Sequence, residues 1–279
     1  YHNLGLTLAR KGDLTAAIEA FHKAIGQRRG ASPESYYELG KTLFQLGNTE
    51  EAIKALRTAI DQRTSPFALA HSELGNALFS AGYIDEAIEE LGVSLQLQPE
   101  NPKGHHTLGR ALLRKGLLDE AVAALRTAIE QSEEKFPWAY HNLGDAYFAK
   151  GELDLAIECY RVAINQSERY PRAYLELGRA LYSRGDLTEA SDAFHTAIEQ
   201  RGGNFPEAFY ELGRVYFIGD ELEEAVKSFQ SAVKQQDNFP DAHNELGMVL
   251  YRQERLSEAV ASFRTAIQLR GGNFAKAHN

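Results

Sequence analysis

The chain has 279 residues, 43% of them hydrophobic and 25% charged, so its composition is that of an ordinary soluble protein, and length alone predicts about two compact domains. A single Cys excludes a disulfide framework and any multi-thiolate metal site, and 30 Lys and Arg against 39 Asp and Glu argue against a phosphate-neutralising nucleic-acid surface. No run approaches 18 consecutive apolar residues, so no membrane span is expected.

Taken in chain order, the dipeptide Leu-Gly returns with Gly5, Gly40, Gly75, Gly109, Gly144, Gly178, Gly213 and Gly247, always 34 or 35 residues apart. Twelve residues after each Gly stands Ala (Ala17, Ala52, Ala87, Ala121, Ala156, Ala190, Ala225, Ala259). Sixteen after it comes a large apolar residue: Phe21, Leu56, Leu91, Leu125, Tyr160, Phe194, Phe229 or Phe263. Positions −4, −1, 0 and +3 around the Gly follow the i, i+3, i+4, i+7 stripe of one helix, and +12, +16, +19 and +20 follow that of a second. Between them, at +7, stands Gly12, Gly47, Gly82, Gly116, Gly151 or Gly185, where a left-handed residue would end the first helix. Asp220 and Glu254 replace that Gly, so those two turns are expected to differ. Pro33, Pro102, Pro137, Pro171, Pro206 and Pro240 open the following unit, where a missing N–H costs nothing. The predicted units are residues 1–32, 33–67, 68–101, 102–136, 137–170, 171–205, 206–239 and 240–274, with 275–279 opening a ninth first helix. The two-domain expectation from length therefore gives way to a single array over 1–279. A second period of 69 residues lies above the first: Leu56 to Ile60 recurs at Leu125 to Ile129, and Arg201 to Phe205 recurs at Arg270 to Phe274.

The pattern, spelled for example by Tyr140, Leu143, Gly144, Tyr147, Ala156, Tyr160 and Ala163, resembles the tetratricopeptide repeat. The resemblance covers essentially the whole chain and implies an all-α solenoid, a right-handed superhelix of about eight helix-turn-helix repeats. It also implies a non-catalytic protein-interaction scaffold whose first helices line a concave groove for a peptide or partner helix. On that face the sequence places Glu38, Glu73, Asn142, Glu176, Glu211 and Glu245 two residues before the Gly. One residue after it stand Lys41, Asn76, Arg110, Arg179 and Arg214. Four after it runs an aromatic row of Phe44, Phe79, Phe148, Tyr182, Phe217 and Tyr251. These are the expected partner-binding residues, with carboxylates and guanidinium groups for hydrogen bonds and rings as anchors. The same spacing admits a plainer reading: Glu38 to Lys41, Glu176 to Arg179 and Glu211 to Arg214 are i, i+3 pairs that stabilise a helix by about 0.2–0.5 kcal/mol each, and the rings serve packing. The Lys and Asn clamp with which some family members grip a C-terminal carboxylate is not found, because Lys41 and Asn76 are isolated and neighbouring Glu residues would repel the ligand.

No catalytic constellation emerges and no cofactor or metal is expected. Gly40-Lys41-Thr42 imitates the tail of a phosphate loop, but Ser35 stands where its first Gly belongs and the tripeptide falls inside a helix. Arg184-Gly185-Asp186 is an inter-helix turn. His71, His105 and His243, with His2, His106 and His141 beside them, occupy equivalent positions one helix spacing apart, about 8–10 Å, and do not converge on one ion. Cys159 reads as small apolar packing compatible with a reducing compartment, and Asn165-Gln166-Ser167 is a glycosylation acceptor only in a secreted chain. Residue 1 is Tyr, and the compartment stays open, with a cytoplasmic one weakly favoured. Neither end reads as a polar cap, which leaves two further expectations beside the scaffold: head-to-tail self-association into a filament, or a regulatory segment of a larger enzyme.

Overall fold

The structure, a computed structural model, describes residues 1–276. Among them stand sixteen α-helices and no strand. In order they are α1 (His2–Lys11), α2 (Leu14–Gln27), α3 (Pro33–Leu46), α4 (Thr49–Asp61), α5 (Ala68–Ala81), α6 (Ile84–Leu97), α7 (Pro102–Lys115), α8 (Leu118–Glu130), α9 (Pro137–Lys150), α10 (Leu153–Gln166), α11 (Pro171–Arg184), α12 (Leu187–Gln200), α13 (Pro206–Ile218), α14 (Leu222–Gln235), α15 (Pro240–Arg252) and α16 (Leu256–Lys276). Odd-numbered helices are the first, even-numbered the second, of successive hairpins. The chain divides into two compact units, Tyr1–Ala146 and Tyr147–Asn279, and the division falls inside α9.

The Leu-Gly register is explained by how closely two helices cross. A Cβ built on Gly40 would stand 2.6 Å from Leu56 Cγ, and one on Gly178 2.5 Å from the Phe194 ring, so the residue sixteen positions on lies directly over the Gly backbone. Those large residues are sealed: Phe21, Leu56, Leu91, Leu125, Phe194 and Phe229 are all 0% exposed, and so are the Ala residues four positions before them. Close approach and full burial belong together, because apolar surface contributes only when water is removed from all of it.

The hairpin turns follow from the left-handed residue at +7. Gly47, at φ 94°, donates its N–H to Phe44 O, and Asn48 donates to Leu43 O at 2.9 Å, closing the last turn of α3. The two turns expected to differ do not. Asp220 and Glu254 hold φ values of 62° and 61° and keep the path without Gly. The hairpin geometry outweighs the cost, which is of order 1–2 kcal/mol for a residue carrying Cβ.

From α1 to α8, and from α10 to α16, each helix packs on the next. Successive first helices also meet: α1 with α3, α3 with α5 and α5 with α7 in unit 1, and α11 with α13 and α13 with α15 in unit 2. Among the described residues no such meeting occurs between second helices. The first-helix side is therefore the tighter side of each stack. At the C-terminal side, α16 runs on to Lys276 through Gly271, where the recurrence with Arg201 to Phe205 predicts a turn. A local reason is Ala275 in place of Pro206, since a Pro disfavours the helical conformation in the residue before it. Residues 277–279, read as part of a ninth first helix, lie outside the described residues.

Candidate functional site

The expected site residues lie on the first helices, and the two units use them differently. In unit 1, Lys41 Nζ stands 3.2 Å from Glu38 Oε2 and 5.0 Å from the centre of the Tyr37 ring. Burial, with Glu73 and Glu38 adding to it, pushes the Tyr37 hydroxyl far above the usual phenol range. Burial likewise raises the Glu73 carboxyl, while Lys41 and a hydrogen bond from Asn76 pull the other way. One repeat further on, the guanidinium groups of Arg110 and Arg114 lie 4.7 and 5.1 Å from the centre of the Phe79 ring. Phe44, Asn76, Phe79 and Arg110 thus come together, with Ser80, Thr107 and Arg114, around one hollow of about 490 Å³. Asn142 is drawn away from it and donates from Nδ2 to His106 Nε2 at 2.7 Å. Burial, followed by the Arg110 charge, pushes His106 down to about 4, which suits a neutral ring accepting that hydrogen bond.

In unit 2 the ladder closes on itself. Arg172 Nε reaches Glu176 Oε1 at 2.9 Å, and Arg179 Nη1 reaches the same oxygen at 3.2 Å. Arg179 Nε then crosses to Glu211 Oε1 of the next repeat at 2.9 Å. Arg214 Nη1 binds Glu211 Oε2 at 2.8 Å, its Nη2 donates to the Tyr182 hydroxyl at 3.3 Å, and the guanidinium lies over that ring. Glu176 and Glu211 are only 8% and 6% exposed, so their charges depend on these partners. Burial works against the Arg179 charge, but Glu176 and Glu211 more than offset it, and its pKa stands above the ordinary guanidinium value. Glu245, raised by burial and eased by Arg214, stands beyond the end of this chain of pairs. Phe217 lies under Arg252, 5.2 Å from ring centre to guanidinium; Phe148 is half-buried and Tyr251 is exposed.

Five residues that the sequence reading passed over matter here. Arg114, on the next turn after Arg110, completes the hollow of unit 1. Gln62, Gln131 and Gln200, 69 residues apart, reach back to the preceding loop: Gln62 Nε2 donates to Gly30 O, Gln131 Nε2 donates to Pro99 O, and Gln200 Oε1 accepts from Tyr170 N–H. The 69-residue period contained that signal. Trp138, the single Trp, is 61% exposed. Among the described residues no group of three His, Cys, Asp or Glu side chains could hold a metal ion, and no helix is long and apolar enough to cross a membrane.

Family models for the tetratricopeptide repeat match residues 1–65, 37–102, 175–239 and 220–274, and a TPR repeat model matches 109–151 and 144–183. No curated protein matches the sequence. Among solved structures, the chain is similar to the C-terminal part of a TPR repeat-containing protein from Cytophaga hutchinsonii, with a TM-score of 0.67 and 18% identity over 88% of this chain and 99% of that one. It is also similar to PilF of Pseudomonas aeruginosa (TM-score 0.64, 20% identity, 81% and 99% covered). A third is YrrB, described as a TPR protein with an unusual peptide-binding site (TM-score 0.56, 20% identity, 73% and 100% covered). At these identities the likeness concerns the fold.

Proposed function

The chain belongs to the tetratricopeptide-repeat family, and from that premise we propose that it is a non-catalytic protein-interaction scaffold whose first-helix face in unit 1 holds an extended segment of a partner. The observation that carries this reading is the hollow shared by Phe44, Asn76, Phe79, Arg110 and Arg114. Its rings offer a seat for an apolar side chain. A guanidinium stacked on a ring uses its face for that contact and keeps its N–H edge for oxygen, so Arg114 suits a backbone carbonyl or a carboxylate beside the seated side chain. Asn76 adds an amide at the same place. In unit 2 the equivalent charges bind one another, and there the ladder serves mainly the stack itself.

The test is a random peptide library selected on the intact chain. Selected peptides are expected to lose about tenfold or more in affinity on Phe79→Ala and on Arg114→Glu, with far-UV circular dichroism unchanged. They are expected to bind Glu245→Gln, on the unit 2 face, as they bind the parent. Peptides indifferent to both unit 1 substitutions overturn the reading.

A further inference from the structure

A second cavity, of about 910 Å³, opens in unit 1 at the loops entering α7 and α9, away from the hollow just described. Trp138, Gln131 and Ser132 line it, together with the carboxylates of Glu100, Glu133 and Glu134. Lys103 and Lys135 share the rim, which leaves one net negative charge, and none of these five charged groups takes part in an ion pair among the described residues.

What suits this cavity is visible 69 residues earlier. The turns 62–67 and 131–136 follow one backbone path: Gln62 has φ −80° and ψ −10°, Gln131 φ −81° and ψ −13°. Arg63 N–H donates to Ile60 O, and Ser132 N–H to Ile129 O. At the first turn the Arg63 guanidinium lies 4.4 Å from the Phe67 ring centre and donates to Ser65 Oγ. In unit 2, Arg201 lies 5.0 Å from Phe205 in the same register. At the corresponding position the chain supplies Ser132, whose hydroxyl turns back to Glu134 O. The neighbouring amide changes with it. Gln62 Oε1 accepts the Ser32 N–H at 3.0 Å, whereas Gln131 Oε1 is buried and accepts no hydrogen bond within the protein. The first turn is uncharged at Thr64, Ser65 and Pro66; the later one carries Glu133, Glu134 and Lys135.

We propose that this cavity receives an arginine side chain from a protein partner, beside Phe136, which holds the register of Phe67 and Phe205 in a turn that has Ser132 where theirs have Arg63 and Arg201. The guanidinium stacks on the exposed Trp138 ring and directs its N–H groups at the carboxylates and at Gln131 Oε1. Trp gives the strongest cation–π face, and a planar, weakly hydrated guanidinium both stacks and forks to carboxylate, which an ammonium does not. The site does not depend on what the Phe44 and Phe79 hollow holds.

Because Trp138 is the single Trp, its fluorescence reads this cavity alone. The intact chain is titrated with N-acetyl-arginine amide, N-acetyl-lysine amide and N-acetyl-glutamine amide. The arginine probe is expected to give a saturable change, the lysine probe one at least about threefold weaker, and the glutamine probe none. Ser132→Arg, which places the chain's own guanidinium in the cavity, is expected to weaken the arginine response about tenfold with unchanged far-UV dichroism. Glu133→Gln with Glu134→Gln, on a solvated turn, is expected to weaken it several-fold. Non-saturating quenching common to all three probes overturns the proposal. So does an unchanged response in the double Glu variant, or in Ser132→Arg once its dichroism shows that it is folded.

Discussion

The first-helix faces of the two units are written in the same residue types at the same offsets, yet they do different things. In unit 2 the buried carboxylates are bridged across repeats: Glu211 sits between Arg179 of its own face one repeat back and Arg214 three residues on. In unit 1 the arginines lie on an aromatic ring, and Glu73 keeps a raised pKa beside Asn76. The difference comes from which residue occupies the −2 position in the next repeat. Glu211 answers Arg179, whereas the residue two before Gly144, one repeat after Arg110, is Asn142, an uncharged amide bound to His106. Charges paired across repeats tie neighbouring hairpins together, whereas guanidinium groups stacked on a ring form a mixed aromatic and cationic surface.

Substitutions can break or sharpen this contrast. The largest effect should be common to both units, since the hairpin core is common: Gly40→Ala and Gly178→Ala each place a Cβ at 2.5–2.6 Å from a sealed side chain and are expected to cost about 3 kcal/mol in urea denaturation. A cost confined to one unit would show that the cores are not equivalent. Next comes the contrast itself. Glu211→Gln, which takes the carboxylate that Arg179 and Arg214 share, is expected to cost about 2 kcal/mol, against less than about 0.5 kcal/mol for Glu38→Gln in unit 1. Equal losses would erase the distinction between the ladders.

A further effect is set by pH. His106 is held neutral down to about 4 against an ordinary value of 6.5, so above 6.5 both folded and unfolded chains carry it neutral. As pH falls below 6.5 the unfolded chain takes up the proton first, and stability drops until the folded ring also titrates near 4. Relative to His106→Gln, the parent should lose on the order of 3 kcal/mol between those limits, read from denaturation midpoints at matched pH. Parallel pH profiles would mean that the ring is solvated and protonates normally. The smallest effect has the opposite sign: Glu254→Gly relieves a left-handed residue and should raise stability by about 0.5–1 kcal/mol, seen as a higher Tm.

Much of this was legible in the residues. The Leu-Gly register, the Ala at +12 and the large residue at +16 state a close helix crossing, because only Gly admits it and only a large side chain fills what remains. Glu176, Arg179, Glu211 and Arg214 were legible as helix neighbours. Their linkage across repeats was not, since Arg179 and Glu211 are 32 residues apart and meet only when two hairpins stack. Arg114 and Trp138 were missed for a related reason: both fall outside the −2, +1 and +4 rows, at positions where the copies differ.

The sequence by itself therefore determined the unit, its period and its core, since these depend on local helix geometry and on burial repeated eight times. The tertiary structure alone decided what each face offers. Charge pairing and ring stacking are short-ranged, and which of the two an arginine adopts depends on the side chain that the neighbouring hairpin brings within a few ångströms.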